Sequence, residues 1–232
     1  HFSMQSRIEE ATAQLAFQAR HDALTGLLNR REFEHRLEKA LAGVQAGGDE
    51  FAVLFLDLDR FKQVNDNCGY LAGDELLRQM ALLFQGRLRD EDTLARLGGD
   101  EFSIMLNNCS GPRANQVAED ICGLAAAYRF IWQDKVFAIG ASIGITTVNR
   151  KVRNINEILA AGDAACHRAK ESGRNRVCEQ EAMHNPERRQ ETSNWASRIA
   201  NALAEDRLLI EAMPLRALQH RTGNHIVELT AR

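Results

Sequence analysis

The spacing of hydrophobic and polar residues changes several times along this chain, and each change predicts a new helix or strand. Apolar residues recur every three or four positions, as on one face of a helix, over residues 4–20, 33–44, 76–88, 117–128 and 155–169. Strand-like segments, either continuously apolar or extended, occupy residues 51–56, 94–97, 102–106 and 136–146. This order predicts a mixed α and β fold in which helices cover one sheet.

Three of these segments place polar or flexible residues at defined points. The run Phe51–Leu56 reads as a buried central strand, and such a strand delivers polar groups, here Asp57, at its carboxyl end. The pair Gly98-Gly99 predicts a tight hairpin, because glycine readily adopts positive φ angles. The clearest helix is predicted to begin near Gly73-Asp74.

Composition narrows the class of protein. A formal charge of -3 and a pI near 6.2 provide no overall field for nucleic acid or an anionic membrane, so any phosphate ligand needs a local basic cluster. The five cysteines are scattered and never spaced as CxxC, which favours a reducing cytoplasm. No apolar run reaches the roughly 18 residues of a membrane span, although the parent protein remains free to be membrane-anchored.

The pattern also divides the chain into regions. Residues 1–20 are predicted to form a stalk helix whose first residues are a cloning remnant, and residues 21–179 form the main domain. A polar, charged stretch at 180–194 is typical of a linker. The apolar pattern resumes over residues 195–232, which predicts the start of a further domain.

Two groups of carboxylates lie at turns rather than on helical faces. Asp57 and Asp59 follow the central strand, and Asp100 and Glu101 lie on the glycine hairpin. If the two strands are neighbours, these acids form a cluster suited to a hard divalent cation such as magnesium and to phosphoryl or nucleotidyl transfer. The alternative is that they only cap turns, where Asp is common.

Other polar residues suggest a nucleotide ligand. Asn65 and Asp74 flank a turn, and a carboxylate there can accept from the N1-H and N2-H groups of guanine, although the spacing alone favours helix capping by Asp74. Lys170 and Arg174 are four residues apart at the end of the last predicted helix, facing either a triphosphate or the negative end of the helix dipole. Lys62 follows the acidic strand end.

A second candidate ligand site precedes the glycine hairpin. Arg89 and Asp92 form an RxxD pair, in which the arginine can contact N7 and O6 of guanine. The alternative is an exposed pair on a solvated surface.

Taken together, these motifs resemble the GGDEF family of diguanylate cyclases over roughly residues 20–180. The matching segments are Asp22-Ala-Leu-Thr25, Asn29-Arg30-Arg31, Asp57-Leu58-Asp59, Phe61-Lys62, Asn65-Asp66, Gly73-Asp74, Gly98-Gly99-Asp100-Glu101-Phe102, Ala141-Ser142-Ile143-Gly144, Asp163-Ala164-Ala165, Ala169-Lys170 and Gly173-Arg174-Asn175-Arg176. The chain departs from the family at Tyr70, where histidine is usual, and at His167, where tyrosine is usual; neither position carries a required catalytic role.

The resemblance implies a palm-like fold with a central, mostly antiparallel sheet. It also implies that a dimer joins two GTP molecules into cyclic di-GMP. The metal ions, Mg²⁺ or Mn²⁺, would be held by Asp57, the Leu58 carbonyl, Asp100 and Glu101. Guanine would be read by Asn65 and Asp74, and the phosphates would contact Lys62, Lys170, Arg174 and main-chain groups near Phe61 and in the Gly98-Gly99 turn.

The family also implies roles for two further sets of residues. The general base is assigned first to Glu101 and second to Asp100. Arg89 and Asp92 would form an inhibitory site for the product on the side opposite the active site.

The tail resembles the opening of an EAL phosphodiesterase domain, with segment 207–215 like its first strand and segment 228–232 at its signature position. Two other functions remain as hypotheses. One is a catalytically silent module that binds GTP or cyclic di-GMP and regulates an attached domain. The other is a palm-like domain with a different nucleotidyl-transfer role.

Overall fold

The computed structural model describes residues 17–109 and 111–180, together with the backbone of residues 210–215 and 226–231. Internal contacts divide the chain into two units, residues 1–181 and 182–232. The helices of the first unit, besides the helical residues 17–20, are α1 (Arg30–Gln45), α2 (Phe61–Cys68), α3 (Tyr70–Gln85), α4 (Gly111–Ala127) and α5 (Ile155–Glu171). Its strands are β1 (Leu28–Asn29), β2 (Phe51–Asp59), β3 (Thr93–Gly98), β4 (Glu101–Leu106), β5 (Arg129–Trp132), β6 (Lys135–Ala138), β7 (Gly140–Val148) and β8 (Arg176–Glu179).

Six of these strands form the main sheet, in the order β1-β3-β4-β2-β7-β8. The four inner strands pair antiparallel, while β1 and β8 pair parallel to their neighbours at the two edges. The predicted fold class, a mixed fold with a central, mostly antiparallel sheet flanked by helices, is therefore confirmed. Strand β2 lies in the interior of the sheet, as its apolar sequence predicts.

Helices cover both faces of this sheet, which explains why β2 is apolar at nearly every position. Ala52, Leu54 and Leu56 belong to the core shared with α2, α3 and α4. Val53 and Phe55 belong to the core shared with α1 and α5. Because side chains alternate along a strand, Asp57 continues the row of Val53 and Phe55 toward the α1 and α5 side.

Helix α5 packs against β7 at unusually short range. A Cβ atom on Gly144 would lie 2.5 Å from the carbonyl oxygen of Gly162 and closer still to the backbone nitrogen of Cys166. A Cβ atom on Gly162 would overlap the ring of Phe55. Only glycine at these two positions permits the approach that brings Lys170, near the end of α5, to the end of β2.

The region after β2 differs from the prediction. Residues 61–68, for which no helix was predicted, form α2, and α3 begins at Tyr70 rather than near Gly73-Asp74. The helix boundary is Gly69, whose φ of 81° interrupts the helical backbone between α2 and α3. Gly73 lies inside α3, where its small size accommodates Asn65.

The extended segment predicted over residues 136–146 is two strands. Residues 135–138 form β6, which pairs with β5 in a separate hairpin, and residues 140–148 form β7 of the main sheet. The β5 strand was not predicted, because its four residues, 129–132, are too few for an alternating pattern to be recognised.

In the second unit, β9 (Ile210–Leu215) pairs antiparallel with β10 (Ile226–Ala231). Most of the predicted stalk helix, almost all of the linker at 180–194 and the rest of the tail lie outside the described residues. The resemblance of the tail to an EAL domain stays a prediction. Among the described helices, none has the length and hydrophobicity needed to cross a membrane.

Candidate active site

The two predicted groups of acids meet at one end of the sheet. Strands β2 and β4 are neighbours, and Asp57 lies directly opposite Glu101 in their antiparallel register. The backbone N–H of Leu58 donates a hydrogen bond of 3.2 Å to the carbonyl of Asp100. Asp57 and Glu101 line an open cleft of about 260 Å³ that also contains Lys170. The sheet therefore brings Asp57, Asp100 and Glu101 to one edge.

Charge at this edge is unevenly balanced. Burial raises the pKa of Asp57, the neighbouring Asp100 and Asp59 charges raise it further, and Lys170 lowers it only in part. The Lys170 ammonium lies 2.5 Å from Asp57 Oδ2. Burial alone would lower the pKa of Lys170, but the hydrogen bond and charge of Asp57 raise it. Asp57 is therefore a partly desolvated carboxylate that Lys170 stabilises only in part.

The donor set at this edge suits a hard divalent cation. Magnesium is usually held by one or two carboxylates, with water and substrate phosphates completing its six oxygen ligands. Asp57 and Asp100 supply two carboxylates, and the raised pKa of Asp57 indicates that additional positive charge would be favourable there. No group of three or more His, Cys, Asp or Glu side chains is arranged as a metal site within residues 17–109 and 111–180.

Asp59 was grouped with the acids suited to a cation, but in the structure its carboxylate holds two other segments of the chain. Its carboxylate is buried, and it accepts hydrogen bonds of 2.8 Å from the Ser142 hydroxyl and 2.9 Å from the Asn175 backbone N–H. One carboxylate oxygen is used by each donor. Asp59 therefore anchors the segment after α5 to β2, and it is not among the residues proposed below to hold a cation.

The spacing argument for Lys170 and Arg174 also fails. Helix α5 ends at Glu171, and Arg174 lies beyond it with a left-handed φ of 64°. The two side chains still reach the same end of β2, since Lys170 pairs with Asp57 and the Arg174 guanidinium lies 4.0 Å from Asp59. The loop, rather than the helix, brings Arg174 there. Lys62 is exposed in the first turn of α2.

The predicted guanine-reading residues lie on two consecutive helices. Asn65 is on α2 and the half-buried Asp74 is on α3, one residue after Gly73, whose Cα faces the Asn65 side chain. Asn65 Oδ1 is buried without a hydrogen-bond partner. An unpaired buried acceptor is costly, so the position is suited to a donor from a ligand. The capping interpretation of Asp74 is wrong, because the N-cap of α3 is Gly69.

The glycine hairpin has the predicted geometry and two arginine supports that were not predicted. Gly98 and Gly99 have φ angles of 143° and 52°. Arg96 donates hydrogen bonds of 3.0 and 2.7 Å to the Gly99 carbonyl, and its other nitrogen contacts both oxygens of Asp22 at 3.1 Å. The sequence signal for Arg96 was its place two residues before Gly98, but nothing local indicated Asp22 as its partner.

Asp22 is itself held by Thr25, whose backbone N–H and hydroxyl donate to it at 2.9 and 2.7 Å. Burial alone would raise the pKa of Asp22, but the hydrogen bonds from Thr25 and the charge and hydrogen bonds of Arg96 together lower it below its ordinary 3.8. The ionised carboxylate therefore stabilises the folded state. The contribution is present above the unfolded pKa and is lost as the pH falls through the lower folded pKa.

Replacing Asp22 with Asn is expected to lower the free energy of unfolding by about 1 kcal/mol at neutral pH, a value reduced for partial solvent screening. The difference from the unmodified protein should shrink as the pH falls below about 4, where the carboxyl of the unfolded chain is protonated. Urea titrations at several pH values measure this. Asp49→Asn, at an exposed position, is the control, and a pH-independent difference would contradict the assignment.

The second unpredicted support is Arg30, the first residue of α1. Its Nε donates a hydrogen bond of 3.2 Å to the Leu97 carbonyl on β3, and its Nη2 lies 3.2 Å from the Glu101 carboxylate on β4. Arg30 belongs to the Asn29-Arg30-Arg31 motif, but the sequence suggested no role for it.

The RxxD pair lies at the other end of β3. Asp92 accepts a hydrogen bond of 3.1 Å from the Arg89 backbone N–H, while the Arg89 guanidinium pairs with Glu91 at 3.4 Å. Arg89 and Asp92 line a cleft of about 380 Å³ together with Arg36. The five residue steps between Thr93 and Gly98 correspond to about 17 Å of strand, so this cleft is separate from the acidic edge.

A family model and several known proteins match most of this chain. The family model described as "Diguanylate cyclase, GGDEF domain" matches residues 19–176. The chain is 40% identical over 207 residues, 89% of its length, to the Escherichia coli K12 protein named "Probable diguanylate cyclase DgcE". It is 38% identical over 173 residues, 74% of its length, to diguanylate cyclase TpbB of Pseudomonas aeruginosa.

A solved structure shares the fold. The coiled coil and GGDEF domain of DgcB from Caulobacter crescentus, in complex with cyclic di-GMP, matches with a TM-score of 0.72 and 26% identity. The match covers 77% of this chain and 94% of that one. The present chain spans only 18% of the length of DgcE and 40% of that of TpbB.

Proposed function

Because the chain belongs to the GGDEF family of diguanylate cyclase domains, we propose that it condenses two GTP molecules into cyclic di-GMP and two pyrophosphates. The observation that carries this proposal is the acidic edge of Asp57, Asp100 and Glu101, where Asp57 keeps a raised pKa although Lys170 lies against it. Transfer of a phosphate-bearing group needs positive charge beside the phosphate, and a divalent cation held by these carboxylates would supply it.

Asp57, Asp100, Glu101 and the Leu58 carbonyl are the groups proposed to hold Mg²⁺ or Mn²⁺. In the proposed reaction the 3′-hydroxyl of one GTP attacks the α-phosphorus of the other, and pyrophosphate leaves. When bound, the cation would lower the pKa of that hydroxyl and neutralise charge on the α-phosphate. Glu101, with Asp100 as second choice, accepts the proton of that hydroxyl. Glu101 is half-exposed, which leaves it accessible to a hydroxyl that approaches from outside the domain.

The remaining contacts orient the nucleotide. Asn65 and Asp74 bind the guanine, and Lys62, Lys170 and Arg174 bind the phosphates together with main-chain N–H groups near Phe61 and at Gly98-Gly99. The Gln63 N–H donates a hydrogen bond of 2.9 Å to the Arg60 carbonyl, whereas helix geometry leaves the N–H groups of Phe61 and Lys62 without a partner inside the helix and open to anionic oxygens. Each domain holds one GTP, and two domains therefore have to meet as an antiparallel dimer.

The proposal is tested by incubating the purified protein with GTP and Mg²⁺ and separating the products by chromatography, beside an Asp100→Ala variant. Cyclic di-GMP formed by the unmodified protein alone supports the cyclase. GTP binding by a confirmed dimer that forms no product would favour the regulatory module instead.

Asp74→Asn is expected to raise the KM for GTP about tenfold or more, because an amide cannot accept both guanine hydrogens. The loss should be smaller with inosine triphosphate, which lacks the 2-amino group. Steady-state kinetics with both nucleotides measures the difference. Glu75→Gln, on the next residue of α3, is the matched control. An equal loss with both nucleotides would count against contact between Asp74 and the 2-amino group.

We further propose that cyclic di-GMP inhibits the enzyme by binding at Arg89 and Asp92. Arg89 and Arg36 line this cleft together with Asp90 and Asp92, so its guanidinium groups can contact the phosphates of the product while a carboxylate accepts from guanine. This cleft lies about the length of β3 from the acidic edge, so a product bound there does not compete directly with GTP. It inhibits instead by restraining the movement of the two domains toward each other.

Arg89→Ala is expected to raise the product concentration for half-maximal inhibition at least about tenfold, with an initial rate within about twofold of the unmodified enzyme. Initial rates measured with increasing cyclic di-GMP give both values. Arg78→Ala, on the exposed side of α3, is the control and should leave the inhibition unchanged. Rates of the unmodified enzyme that do not respond to added product would refute the inhibitory site.

A further inference from the structure

Arg30 and Lys170 hold the two carboxylates that lie opposite each other at the end of β2 and β4. Asp57 and Glu101 are register partners, so their side chains leave the sheet on the same face, toward α1 and α5. Lys170 reaches Asp57 from α5, and Arg30 reaches Glu101 from α1. A cation ligated by both carboxylates must therefore compete with one basic side chain at each of them.

The two pairs differ in strength. The side chains of Lys170 and Asp57 are 34% and 15% exposed and 2.5 Å apart, whereas those of Arg30 and Glu101 are 51% and 53% exposed and 3.2 Å apart. Half-exposed pairs are weak because water screens their charges. The pair between Arg30 and Glu101 is therefore the one that exchanges readily.

Arg30 also has contacts that remain when Glu101 leaves. Its Nε is bonded to the Leu97 carbonyl, and its Nη1 lies 3.9 Å from the carboxylate of Glu34, one turn further along α1. The start of the helix is fixed by Asn29, whose side chain accepts a hydrogen bond from the Glu32 N–H. Arg30 thus stays beside the hairpin and does not need Glu101 to keep its position.

We propose that Arg30 is a positioning residue for Glu101, which it holds in competition with the divalent cation, so that Arg30 sets the cation affinity of the site. This inference rests on the metal-binding role in the proposed function and extends it to a residue without an assigned role. In the absence of a cation, Glu101 stays against Arg30. When a cation arrives, Glu101 turns to it and Arg30 retains Leu97 and Glu34.

The test is direct binding of Mn²⁺, followed by electron paramagnetic resonance of the free ion without nucleotide. Arg30→Ala is expected to tighten Mn²⁺ binding about two- to fivefold, the range for a half-exposed ion pair. Arg31→Ala removes the same charge at the neighbouring exposed position and should change the affinity less than twofold. Arg30→Lys, which keeps the charge, should restore most of the original affinity.

A double-mutant cycle separates competition for Glu101 from a general effect of charge. When the protein already carries Glu101→Gln, adding Arg30→Ala should leave the Mn²⁺ affinity unchanged. The proposal is overturned if Arg30→Ala has no effect, if the effect persists without the Glu101 carboxylate, or if the unmodified protein binds no Mn²⁺. Product chromatography on the same protein preparations, after incubation with GTP and Mg²⁺, tests the cyclase separately. Absence of cyclic di-GMP with the Arg30 effect intact would reject only the cyclase, and the reverse result would reject only the role of Arg30.

Discussion

Replacing Asp57 with Asn is expected to reduce formation of cyclic di-GMP at least about a hundredfold while leaving the fold as stable as before, or more stable. The loss follows because an amide is a poor ligand for a hard cation and does not supply the charge that the metal and triphosphate require. Stability is kept because Asn has the same shape and its oxygen can still accept from Lys170.

The sign of the stability change follows from the pKa of Asp57, which burial and the charges of Asp100 and Asp59 raise above the ordinary value. A carboxyl that binds its proton more tightly when folded destabilises the fold at neutral pH, where it is ionised. Removing the charge removes that cost.

Two measurements on the same protein check this prediction: the rate of product formation and the midpoint of thermal unfolding. Asp134→Asn, in the exposed turn between β5 and β6, is the control and should change neither. A variant that unfolds at a lower temperature and is inactive for that reason would contradict the account, as would one with substantial cyclase activity.

Gly144→Ala is expected to lower the free energy of unfolding by about 3 kcal/mol or more, the upper part of the range for overpacking a core. The added methyl group would meet backbone atoms of Cys166 and Gly162 on α5. Backbone atoms of a helix cannot rotate away, so α5 would have to move off the sheet. Since α5 carries Lys170, activity should fall together with stability.

Urea titration followed by circular dichroism measures the change. The control is Gly123→Ala on α4, where a Cβ has nothing within 4 Å. That substitution should raise the free energy of unfolding by about 0.5–1 kcal/mol, because alanine loses less backbone entropy in a helix than glycine. If Gly144→Ala were tolerated as well as Gly123→Ala, the close contact between α5 and β7 would be refuted.

The pattern of apolar residues and glycines along the sequence was sufficient to predict the features that depend on local burial and local backbone geometry. The apolar run identified the strand β2 and placed Asp57 near its carboxyl end, although β2 continues to Asp59 in the structure. The pair Gly98-Gly99 identified the hairpin, because a tight turn requires positive φ angles that glycine adopts. The predicted start of α3 was wrong, because Gly69 rather than Gly73 interrupts the helical backbone.

Tertiary structure alone decided which polar groups far apart in the sequence are partners. Arg30 and Glu101 are 71 residues apart, Asp22 and Arg96 are 74 apart, and Asp59 and Asn175 are 116 apart. No periodicity links residues so distant, since each pair depends on the order in which strands and helices pack. The sequence by itself determined that acidic residues follow the apolar run of β2 and the Gly98-Gly99 turn. The packing of β2 against β4 and β7 decided that Asp57 and Glu101 face the same cleft. It also decided that Asp59 binds the loop after α5 instead.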